Sequence, residues 1–355
     1  RVADKKQTIN FLVYDAKGGD IESSGNQLFL SLRGVYLLVI SALKLDVLTC
    51  EMWLESIATF AKSAPAIIVA THMDLVTDRE QTLKDLKLMA KHLRSRFRNI
   101  ANVAAVSIET RSEIHLLQNA IVSTAFKTSF VPAKLPRSWL DLETKILSLK
   151  NVAAPVMPVN ELEAMAYDSG VPDKASFNTA LSYLHEVGVV AYFPNRNADL
   201  VVVDRSWLYN MLRTLFERAG QSTGLLRQRK LREIWKGEDE DHQMLTQDIF
   251  DLYGLVHRLD SDKFFISALL PPYPNPDVLS CAWPPMGDDK LLGRIIRFRW
   301  WPRGIFSLLI SRCMQQQKWM VEEYWSGGVL LSTDKTRALL RQAGLEMSIL
   351  VRGND

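Results

Sequence analysis

Short apolar runs alternate with helical patterns over the first third of this 355-residue chain. Four of these runs are bounded by polar loops: Ile9–Tyr14, Val35–Ile40, Ala66–Ala70 and Val103–Val106. Continuous apolar runs of this length are typical of strands that are buried on both faces of a parallel sheet. Apolar residues at helical spacing lie between them, in Val47–Lys62, Arg79–Arg98 and Glu113–Phe126. The alternation predicts an α/β domain with a doubly wound parallel sheet over residues 1–126.

Two of the apolar runs end in a short polar motif that contains an aspartate. Asp15-Ala16-Lys17-Gly18 follows the first run, and Thr71-His72-Met73-Asp74 follows the third. Ligands of doubly wound sheets bind beyond the carboxyl ends of the strands, which is where both motifs are expected. The motifs look like the D-x-x-G loop and the base-reading N-K-x-D-type loop of a GTPase.

The residue types in these motifs suit a guanine nucleotide. The Asp15 carboxylate would hold Mg²⁺ through water, and the Gly18 amide would donate to the terminal phosphate. The Asp74 carboxylate would accept two hydrogen bonds from the guanine edge. Ser107 follows the fourth run, where GTPases offer a backbone N–H to the base. Alternative interpretations are an ordinary turn for D-x-x-G, a helix cap for Asp74 and a surface position for His72.

The loop that would hold the phosphates does not occur in the sequence. No G-x-x-x-x-G-K-[ST] is present in the 355 residues, and the backbone and lysine of that loop bind phosphates. The chain opens at Arg1 without an initiator methionine, which indicates a fragment of something longer. We therefore expect an incomplete nucleotide-binding domain, with weak or absent nucleotide binding.

The pattern changes after a connector that contains Pro132 and Pro136. Helical patterns followed by two strands predict an α+β domain with a winged-helix part over residues 127–286. Within it we expect an exposed acidic loop at 237–242, a helix over Thr246–Leu259 and no regular structure over Leu270–Met286, which is rich in proline. Residues 287–355 are predicted to form a further α+β layer. The sequence shows no internal repeat.

Composition narrows the class of protein. Cys50, Cys281 and Cys313 are few and far apart, which argues against a disulfide framework or a zinc cluster and fits a reducing compartment. The longest apolar run is too short to span a bilayer, and there is no signal peptide. The net charge of +3 is small, whereas nucleic-acid-binding domains are clearly basic. We expect a cytoplasmic protein with no transmembrane segment and no nucleic acid partner.

Several stretches in chain order resemble the Roco family, in which a ROC GTPase domain precedes a COR domain. The T-H-x-D spelling of residues 71–74 is typical of that family. Five further stretches of this chain resemble successive segments of the COR domain: PRSWLDLETKI, FNTALSYLHEVGVVAYFP, LVVVDRSWLYNMLRTLF, FFISALLPPYP and IRFRWWPRGIFSLLISR. The resemblance covers nearly the whole chain and points most closely to the leucine-rich-repeat serine/threonine kinases.

The resemblance implies a Ras-like G-domain that binds GTP or GDP with Mg²⁺. It also implies a COR domain that forms homodimers and controls an attached effector. The resemblance assigns nucleotide-binding roles to six residues: Asp15, Gly18, Thr71, His72, Asp74 and Ser107. Asp15 would also hold Mg²⁺ through water. Gly19 stands where many GTPases have a water-orienting glutamine, so we expect slow hydrolysis and assign no catalytic residue.

Two functions remain open from the sequence. The first is a nucleotide-dependent switch whose state is relayed through COR to another domain of the parent chain, such as a kinase. The alternative is a nucleotide-free scaffold or dimerisation module with a degenerate G-domain. Whether this chain is itself an enzyme stays open, because the sequence carries neither a phosphate-binding loop nor a kinase motif.

Overall fold

The structure, a computed structural model, describes residues 2–4, 7–9, 11–15, 26–62, 64–128, 135–149, 154–195, 197–220, 223–283, 290–298, 305–316 and 318–353. These residues form two compact units. The first ends at Arg205 and the second begins at Ser206. No helix in these ranges is long and apolar enough to cross a membrane.

A parallel three-stranded sheet lies at the centre of the G-domain part of the first unit. Its order is β3-β4-β5, with β3 at Tyr36–Ser41, β4 at Ala66–Thr71 and β5 at Ile100–Ala105. The helices between and after the strands are α1 (Val47–Phe60), α2 (Arg79–Arg94) and α3 (Ile114–Phe126). The predicted parallel sheet and its alternation with helices are therefore confirmed.

The sequence of β4 explains why it is the central strand. All six residues of Ala66–Thr71 are buried, because α1 and α2 cover one face and α3 covers the other. Ile68 packs in the cluster with Leu54 and Leu86. Ile67 packs in the cluster with Ala120. A strand that is covered on both faces needs apolar residues at every position, which is what AIIVAT provides.

The prediction of a buried strand at Ile9–Tyr14 is wrong. β1 (Val2–Asp4) and β2 (Gln7–Ile9) form an antiparallel pair, and residues 11–15 have no regular structure. Val13 is 81% exposed. A strand is stable only when its backbone N–H and C=O groups are paired. In the described part of the chain, residues 11–15 have no neighbouring strand.

The rest of the first unit is a helical group with a small antiparallel sheet. Its helices are α4 (Arg137–Leu149), α5 (Val159–Tyr167) and α6 (Lys174–Glu186). Its sheet has the order β6-β8-β7, with strands at Val156–Pro158, Asn197–Val202 and Ala191–Phe193 respectively. Leu142, Leu162, Phe177 and Val201 meet in its core.

The same order of elements occurs again at the start of the second unit. Helix α7 (Arg205–Arg218) begins at the unit boundary and is followed by β9 (Leu225–Arg227), α8 (Gln228–Ile234), α9 (Glu240–Leu252), β10 (Val256–Arg258) and β11 (Lys263–Ile266). The sheet order is β10-β11-β9. Both groups thus run helix, strand, two helices, two strands, with the last strand in the middle of the sheet. The repetition is one of topology, which the sequence, having no internal repeat, does not indicate.

The second unit ends in a five-stranded antiparallel sheet. Its order is β12-β16-β15-β14-β13, with strands at Lys290–Arg297, Glu346–Gly353, Thr336–Ala343, Gly328–Ser332 and Met320–Trp325. Helices α10 (Pro276–Ala282) and α11 (Ile305–Gln316) belong to this part. Phe306 and Ile310 of α11 pack on Val329 in its core.

Three local predictions in the second unit are wrong. Helix α9 begins within the expected acidic loop, because the Asp239 side chain accepts a hydrogen bond from the Asp241 amide. The same helix ends before Gly254, whose φ is +68°, and β10 follows where helix was expected. Proline does not exclude α10, since Pro276 lies in its first turn, where no N–H is needed.

Candidate functional site

The loops that follow β4 and β5 lie side by side. The Val106 amide donates to the Ala70 carbonyl at 2.8 Å, and the Met73 amide donates to the Val106 carbonyl at 3.3 Å. Parallel strands bring their carboxyl ends to one edge of the sheet. The Thr71–Asp74 segment and the loop beginning at Ser107 therefore form one edge site.

Asp74 and Ser107 are in direct contact at this edge. The Ser107 hydroxyl donates to Oδ1 of Asp74 at 2.5 Å, and the same hydroxyl accepts from the Thr110 amide at 3.2 Å. The hydrogen bond from Ser107 lowers the pKa of Asp74, whose own amide adds to the effect. Asp74 is nevertheless exposed. An ionised, oriented carboxylate thus faces solvent beyond the strand ends.

Thr71 and His72 differ in their surroundings. Thr71 is buried, and its hydroxyl donates to the Ile40 carbonyl at 3.2 Å, which ties the end of β4 to the end of β3. Its Oγ1 also lies 3.0 Å from Nδ1 of His72. His72 is exposed with a φ of +62°, a backbone conformation that turns the chain sharply. Thr71 therefore holds the loop, and the His72 ring stands at its surface.

Additional residues border this edge site. Leu43, Leu75 and Ile108 lie in the loops after β3, β4 and β5, and their side chains are 58%, 60% and 71% exposed. In the described ranges, the backbone amide of Ile108 has no hydrogen-bond partner. Sequence reasoning missed these apolar residues. Their positions directly after predicted strands were the available signal.

The structure shows no hydrogen bond between Asp15 and the residues of this edge. Asp15 is exposed, and among the described residues it makes no hydrogen bond or ion pair. Gly18 and Gly19 lie outside the described residues. No group of three acidic, histidine or cysteine side chains in the described ranges could hold a metal ion.

The donor set of the edge site fits one half of a guanine nucleotide. The base presents two N–H donors and one carbonyl acceptor on the edge that Asp74 and an amide such as that of Ile108 would meet. The described residues contain no run of backbone amides that would hold the phosphates. The edge site therefore has a hydrogen-bond donor and acceptors that suit a guanine base. The phosphates of the nucleotide would need other residues.

Comparison with known proteins gives a family for the COR part. Residues 136–270 match the family described as "C-terminal of Roc, COR-A domain". A solved structure, the RocCORdC of Roco2 from Methanosarcina barkeri bound to GDP, covers 71% of this chain and 77% of its own. The TM-score is 0.57 at 19% identity, so this likeness concerns the fold.

Curated relatives extend the match to the G-domain part. The probable serine/threonine-protein kinase pats1 of Dictyostelium discoideum is 28% identical over 99% of this chain. Roco5 of the same organism, also a probable serine/threonine-protein kinase, is 29% identical over 75% of the chain. Leucine-rich repeat serine/threonine-protein kinase 1 of Mus musculus is 21% identical over 87%.

The chain spans only part of each relative, namely 12% of pats1, 10% of roco5 and 17% of the mouse kinase. The parallel sheet precedes the COR-A match in this chain. The chain also shares its fold with the RocCORdC structure of Roco2. The chain is therefore similar to the ROC–COR region of Roco proteins, and its residues 136–270 match the COR-A family.

Proposed function

We propose that this ROC–COR region is a guanine-nucleotide-dependent switch. The observation that carries the proposal is the pair of Asp74 and Ser107 beyond β4 and β5. In this role the Asp74 carboxylate accepts from the two guanine N–H groups, and the Ile108 amide donates to the guanine carbonyl. The ring of His72 lies beside the base, and Thr71 fixes the loop. The GDP named with Roco2 of Methanosarcina barkeri supports this assignment.

The phosphate side of the proposed site rests on Asp15 and Gly18. Asp15 would hold Mg²⁺ through water, and the Gly18 amide would meet the terminal phosphate. Most of the charge of a nucleotide lies on its phosphates, and a phosphate-binding loop supplies several amides and a lysine to them. We therefore expect weak binding by this chain.

The COR part would pass the nucleotide state to other domains. We assign residues 1–126 to ROC, 127–286 to the N-terminal half of COR and 287–355 to its C-terminal half. The two groups with the same order of elements fit the winged-helix plan of a helix, a strand, two helices and two strands. In this proposal COR forms a homodimer in the cytoplasm and controls an attached effector, such as the kinase named in the relatives.

A nucleotide-free scaffold is the second candidate. It is favoured by Asp15, which is exposed and makes no hydrogen bond or ion pair with other described residues. In a scaffold the Asp74–Ser107 hydrogen bond would merely join two loops. The two candidates differ in one measurable property, which is saturable binding of a guanine nucleotide.

The deciding experiment is a titration of the chain with fluorescent GDP in Mg²⁺. A switch binds saturably, and unlabelled GDP displaces the probe whereas ADP does not. Asp74→Asn would weaken binding at least tenfold, since a charged acceptor of two hydrogen bonds is lost. Ser107→Ala would weaken it less, because only the orientation of Asp74 changes.

Asp78→Asn is the matched control for charge. Asp78 caps α2 by accepting from the Gln81 amide, and asparagine caps helices equally well. This variant should bind like the parent chain. Equal binding of GDP and ADP, or equal loss in Asp74→Asn and Asp78→Asn, would reject the assignment of Asp74. No binding at all would favour the scaffold.

A further inference from the structure

The segment from Ser107 to Glu113, here called the Ser107 loop, leads from the edge site to α3. Arg111 and Glu113 in this loop have φ values of +53° and +62°. Residues with a Cβ seldom adopt this left-handed conformation, and they keep it only where surrounding contacts hold the backbone. The loop that offers Ser107 and Ile108 to a base therefore depends on the contacts that hold its far end.

Hydrogen bonds within the loop link Ser107 to Ser112. The Ser107 amide donates to the Ser112 carbonyl at 3.2 Å. The Ser107 hydroxyl accepts from the Thr110 amide and donates to Oδ1 of Asp74. Because Ser107 and Ser112 are joined directly, a movement of Ser112 displaces the hydroxyl that orients Asp74.

Arg79, the first residue of α2, contacts the far end of the loop. One terminal nitrogen of its guanidinium donates to the Ser112 hydroxyl at 3.4 Å and lies 3.7 Å from Oε1 of Glu113. A guanidinium has several N–H donors, so it can contact a hydroxyl and a carboxylate at once. Glu113 occupies the N-cap position of α3, yet its side chain makes no capping hydrogen bond. Its carboxylate is therefore available to Arg79.

The chain position of Arg79 relates it to Asp74 as well. Four residues separate Asp74 from Arg79. Asp78 caps α2 by accepting from the Gln81 amide, which fixes the start of the helix and with it the backbone at Arg79. The loops after β4 and β5 are thus joined at two places, namely at Asp74 and Ser107 and again through Arg79.

We propose that Arg79 is a positioning residue for guanine recognition, because it holds Ser112 and Glu113 where the Ser107 hydroxyl can orient Asp74. This role rests on the proposed function of the edge site. Arg79 acts through the loop and does not touch the base. Its side chain is 48% exposed, so its effect is that of one exposed charged contact, about two- to fivefold in an equilibrium constant.

Hydrogen–deuterium exchange of the ligand-free chain tests whether Arg79 holds the loop. The amides of Ser107, Thr110 and Arg111 are hydrogen-bonded within the loop. We expect their exchange to rise about two- to fivefold in Arg79→Gln, since weaker support raises the population of the open loop. Lys84→Gln is the matched control, because Lys84 pairs with Glu80 on the same helix, and it should leave these rates unchanged.

A charge exchange tests the ion pair separately. Arg79→Glu places two carboxylates together and should speed exchange in the loop at least as much as Arg79→Gln does. Combining Arg79→Glu with Glu113→Arg restores opposite charges across the same gap. The double variant should return the loop toward the parent rates.

Discrimination between GDP and IDP tests the role in recognition. Asp74 would accept from two N–H groups of guanine but from only one of hypoxanthine, the base of IDP. The ratio of the two affinities therefore reports the orientation of Asp74, and displacement of fluorescent GDP measures it. We expect Arg79→Gln to lower this ratio about two- to fivefold, because GDP binding weakens more than IDP binding. Lys84→Gln should keep the ratio of the parent chain.

Each contrary result overturns a different statement. Unchanged loop exchange in Arg79→Gln and Arg79→Glu would show that Arg79 does not hold the loop. Equal weakening of GDP and IDP in Arg79→Gln would reduce Arg79 to a structural contact. Absence of GDP binding by the parent chain would reject both the switch and this role, whereas GDP binding with an unchanged ratio in Arg79→Gln would reject this role alone.

Discussion

His185 is a half-buried imidazole, and its surroundings disfavour protonation. Burial, together with the nearby Arg205 guanidinium, lowers its pKa from 6.5 to about 4. Glu186 acts in the opposite direction but less strongly. The Tyr192 amide donates to Nδ1 at 3.1 Å, which requires that nitrogen to carry no proton. The last turn of α6 therefore carries a neutral histidine at physiological pH.

The lowered pKa predicts that the first unit loses stability in mild acid. Between about pH 6.5 and 4 the unfolded chain binds a proton at His185 that the folded chain does not, so the free energy of unfolding falls as the pH falls through this window. The loss is at most about 3.5 kcal/mol, because the shift is about 2.5 units and each pKa unit corresponds to about 1.4 kcal/mol. His185→Gln should make the stability of the first unit less dependent on pH.

Urea unfolding at pH 7.5 and pH 5 checks this expectation. His115→Gln is the control, since His115 is exposed on α3, and it should unfold with the parent's pH dependence. A parent chain that is equally stable at both pH values, or a His185→Gln variant with unchanged pH dependence, would contradict it.

Helices and strands differ in how far the sequence alone determines them. The strands β3, β4 and β5 were predictable because each contains an apolar run between polar loops, although β5 begins at Ile100, three residues before the predicted run. For the same reason Thr71 was expected near the end of β4, where it is the last residue, and His72, Asp74 and Ser107 were expected beyond the strands, where the structure has them. Residues 11–15 show the limit, since FLVYD has the composition of a strand but has no neighbouring strand among the described residues. Pairing is a property of other segments and cannot be read from the run itself.

The second unit was harder to predict because its signals are local and small. The end of α9 depends on the left-handed conformation of Gly254, and the start of α10 depends on the Asn275 side chain that accepts from the Asp277 amide. Strand β15 reads TRALLRQA, which has no strict alternation, and its burial comes from its place between β14 and β16. The repeated order of elements is equally invisible, because the two groups share topology and few residues.

The β13–β14 hairpin gives a prediction at the scale of the element. A Cβ at Gly328 would lie 2.1 Å from the Trp325 ring and 2.7 Å from the Leu340 carbonyl. Trp325 is buried in a cluster with Leu330 and Leu339, so it cannot move aside freely. Gly328→Ala should therefore destabilise the second unit by more than about 2 kcal/mol, in line with overpacked cores.

Gly327→Ala is the natural comparison for this variant. Its nearest contact from an added Cβ would be at 3.5 Å, an ordinary van der Waals distance. Thermal unfolding should show a lower melting temperature for Gly328→Ala and a value near that of the parent for Gly327→Ala. Similar melting temperatures for both variants would mean that Trp325 readily repacks.

At the scale of the whole molecule, the outer strand of the five-stranded sheet bears on self-association. β12 lies at the edge of the sheet, and Leu292 and Ile295 are 71% and 60% exposed. An edge strand offers unpaired N–H and C=O groups, and a long apolar edge is a surface for pairing with another chain. The proposed homodimer would cover this strand in each copy.

Ile295→Asp should weaken self-association of the chain. In a two-fold symmetric dimer the substitution places a charge in both copies of the same patch. Sedimentation velocity over a concentration series should show a dimer for the parent chain and a shift toward monomer for the variant. Leu88→Asp is the control, since Leu88 is 67% exposed on α2. A monomeric parent chain, or a variant that dimerises as well as the parent, would exclude β12 as the contact.

The register of β12 also fixes the order in which its sheet can form during synthesis. Lys290 pairs with Gly353 and Arg297 pairs with Glu346, so β12 is made first and meets its partner last. The hairpins from β13 to β15 join segments that are close in sequence and can form early, whereas β12 must wait while about fifty further residues leave the ribosome. Throughout that interval both edges of β12 are open, which leaves it able to pair with strands of other chains.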